Sequence, residues 1–224
     1  MTSENALTRR SLLGGAGAAA ALSLLPSHAR SQQNGWYYDF NIHALGSRAG
    51  HHRVAFARDG DLLNVDIDIR LKIKVPLFGT FGYTQQVQEV WRGDQLVRLR
   101  AETDDGKKHD IVTAELTPNG KLATNSTRLG LKMLPGHLWP ASSIWKASSA
   151  NHQGFLDLTR GNVRPTEISY IGKETIQVLG RSRSAQRYAV KSRRVLEVLY
   201  GLDGEWLGLE WSEFGFSAHY ERVA

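Results

Sequence analysis

Between Leu63 and Val75 the chain alternates apolar and polar side chains almost without a break. Leu63, Val65, Ile67, Ile69, Leu71, Ile73 and Val75 fall on one side of a period-two strand, and Asn64, Asp66, Asp68, Arg70, Lys72 and Lys74 on the other. One face is therefore buried and the other wet. At ~3.3 Å per residue such a strand runs on the order of 40 Å, well beyond a usual strand, so it curves with its sheet. A parallel sheet buries both faces and would not accept the two aspartates and the lysines, so the sheet is expected to be antiparallel.

The same alternation predicts strands over 36–43, 51–58, 83–91, 96–101, 110–116, 122–127, 166–171, 175–179, 188–191, 195–200, 205–211 and 216–222. Glycine-bearing turns separate them, "LGSRAG" after the first, Gly93-Asp94 and "TPNGK" further on. About a dozen antiparallel strands at these spacings predict an all-β fold, a curved sheet closing into a barrel or half-barrel. The alternation stops in "LPGHLWPASSIWKASSANHQGF", where Pro140-Ala141-Ser142-Ser143 could open a short helix within 140–158. This segment, rich in Trp139, Trp145 and Phe155, is expected to form a helix-and-loop plug over the open side of the sheet.

The register of two hairpins can be worked out in advance. A two-residue turn at Asp203-Gly204 sets Tyr200, Val198 and Leu196 opposite Leu207, Leu209 and Trp211, and on the reverse face Glu197 opposite Glu210. Such a like-charge pair stands only in water or with a cation between the two groups. A Gly93-Asp94 turn sets Trp91 opposite Leu96 and Glu89 opposite Arg98, giving a hairpin with two partly apolar faces, suited to the wall of a mixed cavity or to a surface ion pair.

The N-terminus changes the picture of where the protein works. Arg9-Arg10 precede an apolar run from Leu12 to Leu25, then Pro26 and the small-residue pattern Ser27-His28-Ala29. This is the composition of an export signal, and "TRRSLL" resembles the twin-arginine motif, so a periplasmic location, the twin-arginine export machinery as a partner and cleavage after Ala29 are expected, with Ser31 as a second cleavage point. The run is too short and too rich in glycine for a membrane span. Gly15-Ala16-Gly17-Ala18-Ala19-Ala20 matches a dinucleotide-binding pattern but follows no strand, and reads as signal composition. Without residues 1–29 there remain 195 residues with 26 Lys and Arg against 21 Asp and Glu, a net of +5, read as one domain over 30–224. The chain has no cysteine, so neither a disulfide nor a thiolate site supports it. The mild positive charge suits an anionic membrane surface better than nucleic acid, and the stretch 181–194, with Arg181, Arg183, Arg187, Lys191, Arg193 and Arg194, is the candidate contact.

Catalytic chemistry is poorly supported. Gly46-Ser47-Arg48-Ala49-Gly50 lacks the spacing and context of a nucleophile elbow and reads as a hairpin loop. His51 and His52 point to opposite faces of a strand and cannot share a metal, and no other histidine has close ligand spacing, so neither metal nor cofactor is expected. Acid–base work by Glu89 with His51 is the one enzymatic alternative that the residues leave open.

The segments "QEVWRGDQLVRLRAETDDGKK", "PASSIWKASSANHQGFLDLTRGNV" and "VLEVLYGLDGEWLGLEW" resemble an exported bacterial family of unknown function, the domain numbered six-one-three-four, over roughly residues 40–222. The resemblance is carried by Glu89-x-Trp91, Gly93, Leu96, Thr103, Gly106, Ser143-x-Trp145, Gly161, Tyr200 and Asp203-Gly204, and departs from it at Lys146, where asparagine is the expected residue. It implies an antiparallel β architecture and, more loosely, likeness to lipoprotein-carrier half-barrels that hold acyl chains; it brings no catalytic residue. The expectation is a non-catalytic periplasmic protein that binds a hydrophobic molecule or lipid through Glu89, Trp91, Arg98, Trp139, Trp145 and Phe155. The alternatives are a structural or interaction module of the envelope, whose apolar face is all core, and an enzyme on the same scaffold.

Overall fold

The computed structural model describes residues 35–75, 79–192, 195–213 and 216–224. The proposed export signal, its cleavage points, and Arg193 and Arg194 lie outside the described residues. Sixteen strands follow in chain order: β1 (Trp36–Ala44), β2 (Ser47–Asp59), β3 (Leu62–Val75), β4 (Gly79–Arg92), β5 (Gln95–Asp104), β6 (His109–Leu116), β7 (Lys121–Ser126), β8 (Gly130–Pro135), β9 (Trp139–Pro140), β10 (Phe155–Leu156), β11 (Val163–Arg164), β12 (Glu167–Val178), β13 (Arg181–Lys191), β14 (Val195–Gly201), β15 (Trp206–Glu213) and β16 (Phe216–Arg222).

Thirteen of them form one antiparallel sheet in the order β12-β13-β14-β15-β16-β1-β2-β3-β4-β5-β6-β7-β8. Every sheet neighbour is also a chain neighbour except at one seam, where β16 pairs with β1. The two edges, β12 and β8, do not pair with each other, so the barrel-like sheet stays open. It nonetheless curls on itself. Val112 of β6 and Val198 of β14, far apart in strand order, belong to one buried cluster with Phe40, Val54, Val65, Trp91, Leu99 and Trp206.

The chain between the two open edges supplies the plug. After β8 it forms β9, two 3-10 turns (Ser143–Trp145 and Ala147–Asn151), then β10 and β11, before entering β12. The expected helix over 140–158 is thus two single turns, since Ser148, Ser149 and Asn151 favour local side-chain bonding over helix and nothing caps them. Trp139 pairs with Phe155 in parallel between β9 and β10, and Leu138, Trp139, Trp145, Phe155, Leu156 and Leu158 all join the sheet's main buried cluster.

The long alternating strand is β3, paired along its whole length with β4. Val65, Ile67 and Ile73 are buried, and Arg70, Lys72 and Lys74 exposed, as the period of two requires. Other expectations need correction. "LGSRAG" is mostly strand: the turn is only Leu45-Gly46, both at positive φ, 52° and 73°, and β2 starts at Ser47. A turn with both central residues left-handed matches the twist of its strands, which is why two residues suffice. The 166–171 and 175–179 strands are one strand, β12, with an irregularity between Tyr170 and Gly172. β13 begins at Arg181 rather than at residue 188, and β8 escaped notice because "GLKMLP" has exposed Leu131 and Met133 on an edge and no buried alternation.

Between β14 and β15, Val198 faces Leu209 and Leu196 faces Trp211 as expected, but Tyr200 faces Trp206, because the turn closes over Leu202 to Gly204 by a Gly201 N–H to Glu205 carbonyl bond of its own and the ladder shifts by one at Leu199. Glu197 does stand opposite Glu210. The cation between them comes from the neighbouring strand: Arg187 donates from Nη1 to Glu197 at 2.6 Å and to Glu210 at 2.8 Å, and from Nε to Glu174 at 2.5 Å. Those carboxylates hold its guanidinium pKa above the usual value.

Candidate functional site

The plug meets the sheet at Glu89. This residue sits in β4 on the inner face, between Val65 of β3 and Leu99 of β5, and is 1% exposed. The expected pairing with Arg98 does not occur. The Gly93-Asp94 turn forms as read, and Trp91 does face Leu96, but a bulge between Val90 and Trp91 places Arg98 opposite Val90. One extra residue reverses the faces: Arg98 is exposed on the outer surface, and Glu89 lies inside with Trp91. The structure therefore brings together Glu89, Trp91, Trp139, Trp145 and Phe155, and leaves Arg98 out.

Inside, Glu89 is held by donors. The Trp91 indole N–H donates to its Oε2 at 2.8 Å, and the Ser142 hydroxyl, from the loop entering the first 3-10 turn, donates to Oε1. The Trp145 indole also favours the ionised carboxylate by proximity, although its N–H does not meet hydrogen-bond geometry with any acceptor and is left without a partner. Burial dominates all three and pushes the Glu89 pKa up to about 7, against the opposing pull of Ser142, Trp91 and Trp145.

Around the carboxylate the aromatic rings are filled by one another. Trp91 meets Trp139 and Trp145 edge to face, with centroids 5.2 and 6.1 Å apart, and Trp145 meets Phe56 of β2 at 5.0 Å. The Lys146 ammonium lies 4.9 Å from the Trp91 ring and 4.6 Å from Trp139, and pairs with Asp94 at 2.5 Å. Further bonds tie the plug down. Trp139 Nε1 donates to the Asp94 carbonyl at 3.0 Å, Gln95 Nε2 to the Gly136 carbonyl at 2.7 Å, and the Tyr200 hydroxyl to the Ile144 carbonyl at 2.7 Å.

A buried aspartate organises the far side of the plug. Asp157 takes the Thr159 hydroxyl and N–H, the Arg160 N–H and both Arg164 donors, at 2.7 to 3.1 Å. These outweigh its burial and hold its pKa below the usual carboxylate range. The resulting turn presents the Gly161 and Arg160 carbonyls to Thr124 and Ser126 of β7. Gly161 has φ 68°, and a Cβ there would stand 2.9 Å from that of Ser126, so only glycine fits. "DLTRGN" carried this signal in sequence, as an Asp two residues before a Thr at a turn; nothing in the sequence announced Ser142.

His51 and His52 do lie on opposite faces. His52 is buried against Trp206 and Tyr220, with ring centroids 5.1 and 5.6 Å away, and neither ring nitrogen has a hydrogen-bond partner. Burial lowers its pKa to about 3, so it is neutral. His51 is on the outer face, 3.0 Å from Asp68, which also accepts from Arg70 at 3.1 Å and Gln86 at 3.3 Å. The pairing of Glu89 with His51 as acid and base is excluded by the sheet between them. Beside this outer network two depressions, of about 300 and 540 Å³, share Arg70, Thr84 and Asp104 as lining residues. No group of three or more His, Asp or Glu side chains is placed to hold a metal among the described residues.

Among the described cations of the basic stretch, three of the four are paired and Arg181 is exposed. Arg183 pairs with Asp203 and Glu205, Arg187 with three glutamates, and Lys191 with Glu167 at 3.6 Å.

Among solved structures, a beta-barrel-like protein of domain of unknown function DUF1849 from Brucella abortus is similar in fold, with a TM-score of 0.60 and 13% sequence identity over 84% of this chain and 94% of that one. Among curated proteins none matches the chain. The model of the family described as domain of unknown function DUF6134 matches residues 40–223, nearly the whole of the sheet and all of the plug, and the chain belongs to that family.

Proposed function

We propose that the protein is an exported, non-catalytic binding module of the cell envelope whose inner apolar face is a self-filled core and whose contacts are made from outside the sheet. The observation that carries this reading is the packing of Trp91, Trp139 and Trp145 against one another, with Lys146 of the same chain over their faces. Residues expected to line a lumen spend their surface on the plug. Glu89, the most perturbed inner carboxylate, has both oxygens occupied, by the Trp91 indole and the buried Ser142 hydroxyl. The test is mass spectrometry of organic extracts from protein isolated without detergent from its own compartment. An empty, folded protein is expected; a stoichiometric lipid that disappears in Trp145→Ala without unfolding would overturn the reading. N-terminal sequencing of the same material tests export, which predicts a chain beginning at Arg30.

A carrier of a hydrophobic molecule is the second reading, favoured by one feature. Burial pushes the Glu89 pKa up to about 7 at the junction of plug and sheet, and the Trp145 N–H near it has no hydrogen-bond partner, nor has the buried Ser143 hydroxyl of the same 3-10 turn. In that reading the plug is a gate, and its ligand replaces the indoles as the filling of the interior.

A further inference from the structure

In an antiparallel sheet joined by hairpins, alternate turns lie at the same end. The β1–β2, β3–β4, β5–β6 and β7–β8 turns share one end of this sheet, and the β2–β3, β4–β5 and β6–β7 turns the other. The two ends differ in charge. At the second end Arg92 pairs with Asp61, Lys146 with Asp94, Arg222 with Glu205 and Arg183 with Asp203, while Arg58, Lys121 and Arg181, exposed and without an ion-pair partner among the described residues, stand on β2, β7 and β13, five strands from one another in the sheet. At the first end Arg48, Lys72, Lys74, Lys107 and Lys108 are all exposed and have no ion-pair partner among the described residues. The acidic groups nearest these cations are Asp104 and Asp105, which accept the Gly106, Lys107 and Lys108 N–H groups of their own turn and keep their charge, and at the same end Asp110 pairs with Arg128 and Glu167 with Lys191.

These cations are close together. Gly50 stands opposite Leu71, and Arg70 opposite Thr84, which in turn faces Asp104, so the β1–β2 and β5–β6 turns flank the end of β3. Gly82, opposite Lys72, lies against Gly106. The 540 Å³ depression, lined by Lys72, Gly82 and Gly106, opens between them. Neighbouring strands are about 4.8 Å apart, so the lysines of β3 and of the β5–β6 turn lie on the order of 10 Å from each other, comparable to the Debye length of about 8 Å at physiological salt.

An apolar residue stands at this rim in a conformation that does not suit it. Leu45 is 46% exposed and has φ 52°, where asparagine or glycine would be more stable. We propose that this end of the sheet docks on an anionic phospholipid bilayer, with the five cations over the headgroup phosphates and Leu45 entering the acyl boundary. A polybasic patch with one apolar anchor supplies the two signals that reversible membrane binding needs, and the ion-paired Arg183, Arg187 and Lys191 do not. The inference extends the reading of a module that makes its contacts outside the sheet.

The test is co-sedimentation of the protein, as isolated from its host, with phosphatidylglycerol–phosphatidylcholine vesicles and with phosphatidylcholine vesicles alone. Binding is expected to the anionic vesicles only, at low salt, and to fall at least about tenfold when Lys72, Lys74, Lys107 and Lys108 are changed to Glu together. Leu45→Asn is expected to melt no lower than the parent and yet to bind about threefold to tenfold more weakly. Leu179, 53% exposed at φ 51° in the matching turn at the other end, serves as the control, and Leu179→Asn should leave binding unchanged. Equal binding to neutral vesicles, no binding to anionic vesicles at low salt, or equal losses from Leu45→Asn and Leu179→Asn would each overturn the proposal, as would binding to a soluble polyanion that outcompetes the vesicles. None of these outcomes depends on whether organic extracts are empty, so the docking surface and the self-filled core fail separately.

Discussion

Glu89 and His52 occupy the same inner face, one opposite Val65 and the other opposite Ile69 of β3, and the protein treats them in opposite ways. Glu89 is surrounded by donors from the plug and from Trp91, whereas His52 sits among the rings of Trp206 and Tyr220 with no partner for either nitrogen. Burial disfavours the charged form in both cases, which raises the carboxyl to about 7 and lowers the imidazole to about 3. The difference shows where the interior is built to hold a polar group. At the plug junction the group is fixed by specific bonds; under Trp206 the imidazole serves as a flat ring in an aromatic cluster.

The two groups also bend stability in opposite directions. The raised pKa of Glu89 gives stability that is fully present below about 4.5 and is lost as pH rises through about 7. The lowered pKa of His52 gives stability that is present above about 6.5 and is lost as pH falls through about 3. Between these limits their contributions nearly cancel.

The largest break in the comparison comes from removing the ring that covers each group. Trp145→Ala and Trp206→Ala should each cost about 3–5 kcal/mol by chemical denaturation, the usual loss for a buried tryptophan. The first should also return Glu89 toward an ordinary carboxylate, and the second should make the protein less sensitive to acid, because a His52 open to water can charge in the folded state as it does in the unfolded one. Next in size is Glu89→Gln, which keeps an acceptor for Trp91 and a partner for Ser142. Stability between pH 5 and pH 8 should then fall with acid, because a term on the order of 3 kcal/mol that favoured low pH is gone; an unchanged pH profile would show that Glu89 titrates normally. His52→Leu should do the reverse, with stability at pH 5 rising by about 2 kcal/mol relative to the parent and little change at pH 8. Smallest is Lys146→Asn, which loses the contacts with the indoles and with Asp94. A cost of about 0.5–1 kcal/mol is expected, and the Glu89 titration should shift slightly upward when the nearby positive charge is removed.

Much of this arrangement was legible in the chain. The alternation over 63–75 predicted both the length of β3 and its wet outer face, and the adjacency of His51 and His52 placed them on opposite sides. The facing of Glu197 and Glu210 was also legible, with the need for a cation between them, though not that Arg187 of the next strand would provide it. What failed did so at bulges and edges. A single extra residue at Val97 moved Arg98 out of the site, and β8, exposed on an edge, carried no hydrophobic period.

Sequence alone determined the class of the fold, because a period of two with one charged face admits only a half-wet antiparallel sheet, and it determined that the aromatic segment between the strands would behave differently from them. Only the tertiary structure decided what the greasy wall faces. Whether it lines a lumen or a core depends on what the 136–166 segment does once it spans the two unpaired edges. That rests on the contacts of Ser142 with Glu89, of Lys146 with Trp91 and of Tyr200 with Ile144, between residues about fifty positions apart, where local periodicity carries no information.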